Sequence, residues 1–434
     1  MVFQSVSSAT TRRPHTLWNR LGFHDDPYYV EPLPVDQESL QLFVGRAEDR
    51  QRLLSFVRET PTGKTMVQGA PGVGKTSLVN VVQQELFAEG ERCPLLSVIE
   101  VPAEQTREGF LLGVISGVVA SLEELFDPSE WIGDTAMIQA REAVQQTVRA
   151  GRDLGVTLTL PGGSGAGLQG ARVPVPSVPL APTVATLLGL LNSLVGAILA
   201  RGFGGLIVPV NNLDTLSETQ AAQFLSAARD ITMGQYSPNI HWVFIAGSDL
   251  FQMLETESAY RRVSEAFTNN PVSLGPLSWD DVAAALERRR AHFAIQPDTP
   301  LPMSMTLARE IYDAGNGELR FTMARLSRTV REFATAFPSE RAVPDHHARL
   351  LLSEWGHTQL RDASVTPAEQ RVVAHLRQHG SVRPREYRDL GFASSQRLSQ
   401  VLSRLAEKRY VEGGRRDPYR LTPAARFAGM SQAS

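Results

Sequence analysis

The chain has 434 residues, 42% of them apolar and 21% charged, a size and balance that fit a water-soluble protein of two or three domains. Its one cysteine, Cys93, excludes an internal disulfide and a cysteine metal cluster. The net charge of −3 conceals a basic tail: residues 364–434 hold 13 Lys/Arg against 6 Asp/Glu, a net of +7, and the remainder carries about −10, which points to a nucleic acid or an acidic protein as the partner of the tail.

Arg12 and Arg13 lead into no apolar core, so no signal peptide is expected and the setting is cytoplasmic. Residues 1–42 are polar and dotted with Pro27, Pro32 and Pro34, with Trp18, Leu21, Phe23, Tyr28 and Tyr29 as apolar anchors. They are expected to form an arm packed across the domain that follows. Phe43-Val44-Gly45-Arg46-Ala47-Glu48-Asp49-Arg50 then leads into an amphipathic helix with Leu53, Leu54 and Val57 on one face.

Thr65–Gln68 is a short apolar strand, and Ser77–Leu86 is the helix after it. Between them Gly69-Ala70-Pro71-Gly72-Val73-Gly74-Lys75-Thr76 fits G-x-x-x-x-G-K-[ST], the phosphate-binding P-loop. Glycines at 69, 72 and 74 let the backbone curl so that successive N–H groups face phosphate oxygens, and the following helix, opened by Ser77, adds its positive end. Lys75 is expected on the β- and γ-phosphates, and the Thr76 hydroxyl on Mg²⁺. Lysine is rare here, at 64, 75 and 408, and one of the three stands where the loop needs an ammonium.

With the F-V-G-R box about 25 residues ahead of the P-loop, the chain resembles AAA+ and STAND-type ATPases, particularly archaeal origin-recognition initiators. The resemblance implies that Val44 and Gly45 line the adenine pocket.

Leu95–Val101 is the second strand, and helices are expected over 107–126 and Asp134–Arg149. Residues 151–182 turn rich in Gly, Pro and Val. Val156–Leu160 and Ala171–Val175 flank the run Pro161–Gly167, which has no Lys and no following helix, so a hairpin or flexible flap is expected rather than a second phosphate loop. Residues 183–200 are nearly all apolar but contain Asn192 and Ser193 and lie inside the P-loop domain, so a buried helix is expected rather than a membrane span.

The strand Gly204–Asp214 occupies, by the resemblance, the Walker B position, where the family has two acids, an apolar residue and an Asp. Here Asn211 and Asn212 replace the two acids and Asp214 remains. The first acid holds Mg²⁺ through water and the second polarises the attacking water. Asn211 still hydrogen-bonds a metal-bound water, but an amide is a poor proton acceptor, so binding survives better than hydrolysis. In a shifted register Asp214 is itself the acid. Ile240–Asp249 is the next strand, with Ser248 at the family's polar sensor position. The resemblance places an arginine finger at Arg262, within Tyr260–Phe267. It also places a helical lid after Leu277-Ser278-Trp279-Asp280-Asp281, running to about residue 355, with a second sensor at Arg320 after Ala314-Gly315-Asn316-Gly317-Glu318-Leu319. Leu319 departs from the family's proline.

From Ser364 the pattern changes. Thr366-Pro367-Ala368-Glu369 opens a helix with Val372, Val373 and Leu376 inward. A short second helix follows from Arg383 to about Gly391. Ser394 or Ser395 caps a third, with Leu398, Val401, Leu402 and Leu405 on one face and Arg397, Gln400, Ser403 and Arg404 on the other. Tyr410–Glu412 and Tyr419–Thr422 flank a hairpin tip bearing Arg415 and Arg416. Three helices and a basic β-wing resemble a winged helix, whose third helix would enter the major groove of double-stranded DNA while Arg415 and Arg416 reach phosphate or the minor groove.

The expected fold class is an α/β P-loop NTPase with a parallel-sheet core, an all-α lid and a C-terminal winged helix. The domains are an arm (1–42), a core (43–276), a lid (277–362) and a winged helix (363–434). The expected ligands are ATP or ADP with Mg²⁺. Double-stranded DNA and a homo-oligomer or protein partner follow from the resemblance, and no membrane is involved. The leading reading is an ATP-dependent, DNA-binding switch with weak or absent hydrolysis. A STAND-like scaffold that uses ATP as a clamp, and an ATPase motor that uses Asp214, are the alternatives.

Overall fold

The computed structural model describes residues 16–101, 106–153, 172–174, 183–267, 269–360, 364–414 and 418–429, with backbone alone at 146–153 and 172–174. They fall into two compact units, Glu31–Asp281 and the described parts of Met1–Val30 with Val282–Ser434.

The first unit is built on a six-stranded sheet: β1 (Gly63–Gly69), β2 (Val98–Glu100), β3 (Arg172–Pro174), β4 (Leu206–Asn211), β5 (Ile240–Ala246) and β6 (Val272–Leu274). The order is β3-β2-β4-β5-β1-β6 and every pairing is parallel. Side chains alternate faces along a strand. On one face Val67, Ile207, Val243 and Ile245 pack with Leu53, Leu54 and Val57 of the helix Ala47–Glu59 and with Leu78, Val79 and Val82 of the helix Lys75–Ala88. On the other, Met66, Val208, Trp242 and Phe244 pack with Phe110, Leu111 and Val114 of Arg107–Leu125 and Leu187, Leu191 and Leu194 of Val184–Ala200. With both faces covered, all seven residues of β5 are buried, as a parallel sheet requires.

Val184–Ala200 is thus a core helix, and among the described residues no helix is long and apolar enough to cross a membrane. Pro209 is accommodated within β4 because the residues paired on the β2 side are Val210 and Asn211, with a bridge from Cys93 to Leu206. Pro209 falls between them, where no ladder donor is needed. Residues 172–174 join the sheet beside β2 as its outermost strand. Of the hairpin or flap expected over 151–182, residues 154–171 and 175–182, with the Gly-rich run, lie outside the described residues.

The second unit is helical. Trp279–Phe293 starts at Ser278, whose hydroxyl accepts the Asp281 N–H at 3.1 Å. Met305–Ala314, Leu319–Ala336 and Asp345–Gln359 follow. The arm departs from expectation. Trp18, Phe23 and Tyr28 are buried in this unit, where Asp26 accepts from Ser327 Oγ at 2.6 Å and pairs with Arg331 at 2.9 Å. The His24 N–H donates to Phe293 O at 2.7 Å. Only beyond residue 30 does the arm join the sheet unit. The tertiary partners of an aromatic anchor are set by shape and hydrogen bonding, which the anchor's own sequence does not specify.

The C-terminal module comprises Pro367–His379, a single 3₁₀ turn Pro384–Glu386, Ser395–Glu407, the antiparallel ribbon β7 (Val411–Glu412) and β8 (Arg420–Leu421), and Pro423–Phe427. Val372, Leu376, Leu398, Val401, Leu402, Leu405 and Leu421 form its core. The second helix is shorter than expected, because Pro384 and Gly391 leave room for a turn closed by the Glu386 carboxylate on the Arg383 N–H. Arg397, Gln400 and Arg404 are exposed, and Arg415 and Arg416 lie outside the described residues.

In the sheet unit His241 is fully buried, 3.0 Å from Thr60 Oγ1, and burial, reinforced by the Arg92 charge, pushes its pKa down to about 3. The native state therefore holds it neutral, and stability present above pH 6.5 is lost as pH falls toward 3. His241→Gln is expected to make the decline in thermal stability between pH 6.5 and 4 shallower, by up to about 1.4 kcal/mol per pH unit, measured by melts across that range. An unchanged slope would show that other groups govern acid unfolding.

Candidate nucleotide-binding site

β1 ends at Gly69 and the next helix begins at Lys75. At Gly69 a Cβ would lie 2.5 Å from the Leu274 carbonyl of β6, so no side chain fits. Gly72 and Gly74 hold positive φ of 76° and 94°, the left-handed turns that glycine permits. No side chain caps the helix Lys75–Ala88, so its first-turn N–H groups are available to an anion.

The Lys75 ammonium is buried inside this loop. It donates to Gly69 O at 2.9 Å and Ala70 O at 3.0 Å, and lies 3.0 Å from Asp214 Oδ2. Strand β4 ends at Asn211, paired with Glu100 of β2, so the strand is shorter than the expected Gly204–Asp214, with Asn211 its last residue and Asn212 the first beyond it. Asn212 then takes φ 67°, a conformation asparagine tolerates better than most residues. The chain turns there, and the turn that follows sets Asp214 against Lys75. A Cβ on Gly247, just past β5, would lie 3.9 Å from Asp214 Cβ, so the exits of β4 and β5 meet beside the loop. Ser248 is the next residue and is exposed.

Thr76 is half-buried in the first helical turn. Oxygen groups at this end of the sheet include the Thr76 hydroxyl, the Asn211 amide, the Asp214 carboxylate and Glu100, paired with Asn211. This hard-oxygen set fits Mg²⁺, which keeps several waters and takes one or two protein ligands plus phosphate. Among the described residues no cluster of three or more His, Cys, Asp or Glu suits a metal held by protein alone.

Two supports were not evident from sequence. Arg46, at φ 61°, donates its guanidinium to Val73 O at 3.2 Å and to Gly275 O, tying the F-V-G-R box to the P-loop and to the exit of β6. The V-G-R motif marked this arginine, but only the folded chain shows its targets. Gly45 (φ 70°) has Asp281 Cγ and Leu277 Cδ2 each 3.0 Å from where a Cβ would stand, and Val44 beside it is half-buried. The second support is Leu33, whose N–H donates to Ser77 Oγ at 3.1 Å and whose carbonyl accepts from Asn80 Nδ2 at 2.8 Å. The Ser77 side chain thus anchors the incoming chain. Arg262 is exposed on the short helix Arg261–Ser264, and Arg320 is exposed in the first turn of Leu319–Ala336, in the other unit.

A strand–loop–helix P-loop at the carboxyl end of an inner strand of a parallel sheet defines a P-loop NTPase-type α/β fold. The chain is similar to the Aeropyrum pernix ORC2 protein (ADPNP–ADP complexes), at 14% identity and TM-score 0.48, covering 94% of this chain and 97% of that one. It is similar also to Cdc6p from Pyrobaculum aerophilum, at 13% identity and TM-score 0.42, covering 94% and 97%. The Aeropyrum pernix ORC1 protein in complex with DNA matches at 14% identity and TM-score 0.40, covering 92% and 97%. No protein-family model matches the sequence, and no curated protein matches it.

Arg46→Ala removes two charge-assisted bonds that brace the loop, each worth about 1.5–3 kcal/mol. It is expected to weaken ATP binding by roughly tenfold or more, read by titration with a fluorescent ATP analogue, while circular dichroism stays native. Unchanged affinity would mean that the loop holds its shape without the tie.

Proposed function

We propose that this protein is an ATP-binding switch of the AAA+, initiator-like kind, with Mg²⁺ as the companion ion and slow hydrolysis. One observation supports the reading: Lys75 is caged in a complete P-loop, while β4, whose exit carries Asp214 to that lysine, ends at the amide Asn211 and is followed by a second amide, Asn212. Lys75, Thr76 and the loop N–H groups hold the phosphates. Asn211 orients a metal-bound water, and no carboxylate stands at the position that polarises the attacking water. Asp214 neutralises Lys75 in the absence of phosphate and is exchanged for it when the anion arrives. Ser248 senses the γ-phosphate, Arg320 contacts it from the lid, and Val44 and Gly45 flank the base. Arg262 completes the site of a neighbouring copy in an oligomer.

Protein purified without added nucleotide is expected to retain ATP and to turn over slower than about 0.01 per second, the regime of P-loop NTPases lacking a complete catalytic set. Asp214→Ala is expected to alter that low rate little. Rapid turnover that Asp214→Ala abolishes would assign the catalytic acid to Asp214 and make the protein an ATPase motor.

The C-terminal module acts as a winged helix that binds double-stranded DNA, its helix Ser395–Glu407 presenting Arg397 and Gln400 to the major groove and Arg415 and Arg416 reaching the backbone. The +7 charge of residues 364–434 supports this role. Arg404 contributes less than its position promised, because it lies 3.8 Å from the buried carboxylate of Glu369. Affinity for duplex DNA is expected to fall steeply between 50 and 200 mM salt, by about 10³-fold if six phosphates are contacted, and Arg397→Ala to cost roughly 1–3 kcal/mol. Absence of binding at low salt would instead favour a STAND-like scaffold, with ATP as a clamp and a protein as partner.

A further inference from the structure

Mg²⁺ bound with a nucleotide keeps several of its waters, and those waters need acceptors. Around the exit of β4 the acceptors are neutral or already engaged. Asn211 is the last residue of the strand and Asn212 the next, both amides. Thr76 offers a hydroxyl. Asp214 carries a charge, but it lies 3.0 Å from the Lys75 ammonium. Hydrogen bonds to an ionised acceptor are roughly twice as strong as those to a neutral one, so a cation set among amides and a hydroxyl is held less firmly than one beside a carboxylate.

A carboxylate stands one strand away. β2 ends at Glu100 as β4 ends at Asn211, and the two strands run parallel with Ile99 opposite Val210 and Glu100 opposite Asn211. Both therefore stop at the same level, at the end of the sheet where β1 feeds the P-loop. Side chains alternate faces along each strand, and neighbouring strands lie about 4.8 Å apart, a step that a glutamate side chain spans.

The face is fixed from both strands. Along β4, Ile207 packs with the helices Ala47–Glu59 and Lys75–Ala88, while Val208 and Val210 pack on the other side of the sheet. Alternation then puts Asn211 on the face of Ile207, which is the face that carries Lys75–Ala88. Along β2, Ile99 belongs to the same cluster as Val208 and Val210, so Glu100, the next residue, is on the face of Asn211. Thr76 lies in the first turn of the helix on that face. Glu100, Asn211 and Thr76 are each half-buried, and a charge so placed is screened less than one on an open surface.

We infer that Glu100 is a metal-site carboxylate of this protein: it accepts from a water of the nucleotide's Mg²⁺ and supplies the charge that Asn211 lacks. The inference rests on the proposed place of Asn211 beside that ion. The acid expected at the end of β4 is then carried by β2, and the amide takes the acid's place. Glu100 stands opposite Asn211, the metal-holding position, and not opposite Asn212, the position that polarises the attacking water. Firm metal binding and slow hydrolysis are therefore compatible.

The test is calorimetric titration of the full chain with a non-hydrolysable ATP analogue, once with Mg²⁺ and once in EDTA, the ratio of the two affinities being the metal's contribution. Wild-type protein is expected to bind more tightly with Mg²⁺. Glu100→Gln is expected to cut that gain roughly tenfold, the loss typical of an outer-shell partner of a metal. Its affinity in EDTA is expected to be unchanged or higher, since a negative charge near the phosphates is gone. Adding Asn211→Asp to Glu100→Gln returns the carboxylate to β4 and is expected to restore most of the gain. Glu100→Asp keeps the charge but withdraws it by one methylene. It serves if Glu100→Gln fails to fold, and is expected to lose part of the gain and nothing in EDTA. A wild type indifferent to Mg²⁺, a full gain in either single variant, an equal loss with and without the metal, or a double variant no better than Glu100→Gln overturns the assignment and leaves the P-loop reading intact. A wild type that binds the analogue in neither condition overturns the nucleotide reading, and the role of Glu100 with it.

Discussion

The P-loop can form because a backbone carbonyl is allowed to touch another backbone. Gly69 lies against Leu274 O with no space for a methyl group, and that approach lets β1 and β6 run side by side to the point where the chain must curl. From there Gly72 and Gly74 take left-handed conformations, the helix opens without a side-chain cap, and Lys75 folds back onto the loop's own carbonyls. A buried ammonium needs hydrogen bonds and a counter-charge. Gly69 O, Ala70 O and Asp214 supply them, so the loop is held in its binding shape by the same lysine that would hold the phosphates.

The supports of this loop come from distant parts of the chain. Arg46 reaches the carbonyls of Val73 and Gly275, and Leu33 is hydrogen-bonded at both its N–H and its carbonyl to the helix after the loop. Satisfied backbone groups cost nothing to bury, whereas orphaned ones cost about 1–3 kcal/mol each. The F-V-G-R box and the segment before it are therefore part of the loop's scaffold, whatever they contribute to a base.

The helical unit shows a division of labour between apolar and polar contacts. Phe321, Trp355 and Phe427, with Gly356, make an apolar joint with close backbone contact. Asn316, Glu412 and Arg426 make a polar one. Apolar packing and polar hydrogen bonds both join the C-terminal module to the rest of this unit. A buried ion pair inside the module repeats the theme: Glu369 accepts from Lys408 at 3.0 Å and from the Thr366 N–H at 2.8 Å, and it draws Arg404 toward the same carboxylate.

The sequence alone determined whatever depends on local chemistry. The glycines and lysine of the P-loop, the inward face Leu398, Val401, Leu402 and Leu405, and the helix start at Thr366–Glu369 were legible because backbone curling, helical period and helix initiation act over a few residues. The strand expected over Gly204–Asp214 is there but stops at Asn211. Tertiary structure decided the rest. It brought Asp214 onto Lys75, sent the Arg46 guanidinium to two remote carbonyls, placed Trp18 and Tyr28 in the helical unit and added residues 172–174 to the sheet. It also turned Asn316 toward Glu412 and Arg426. Each of these depends on two segments meeting across a long loop, and that choice is made by the packing of the whole core and not by any short run of residues.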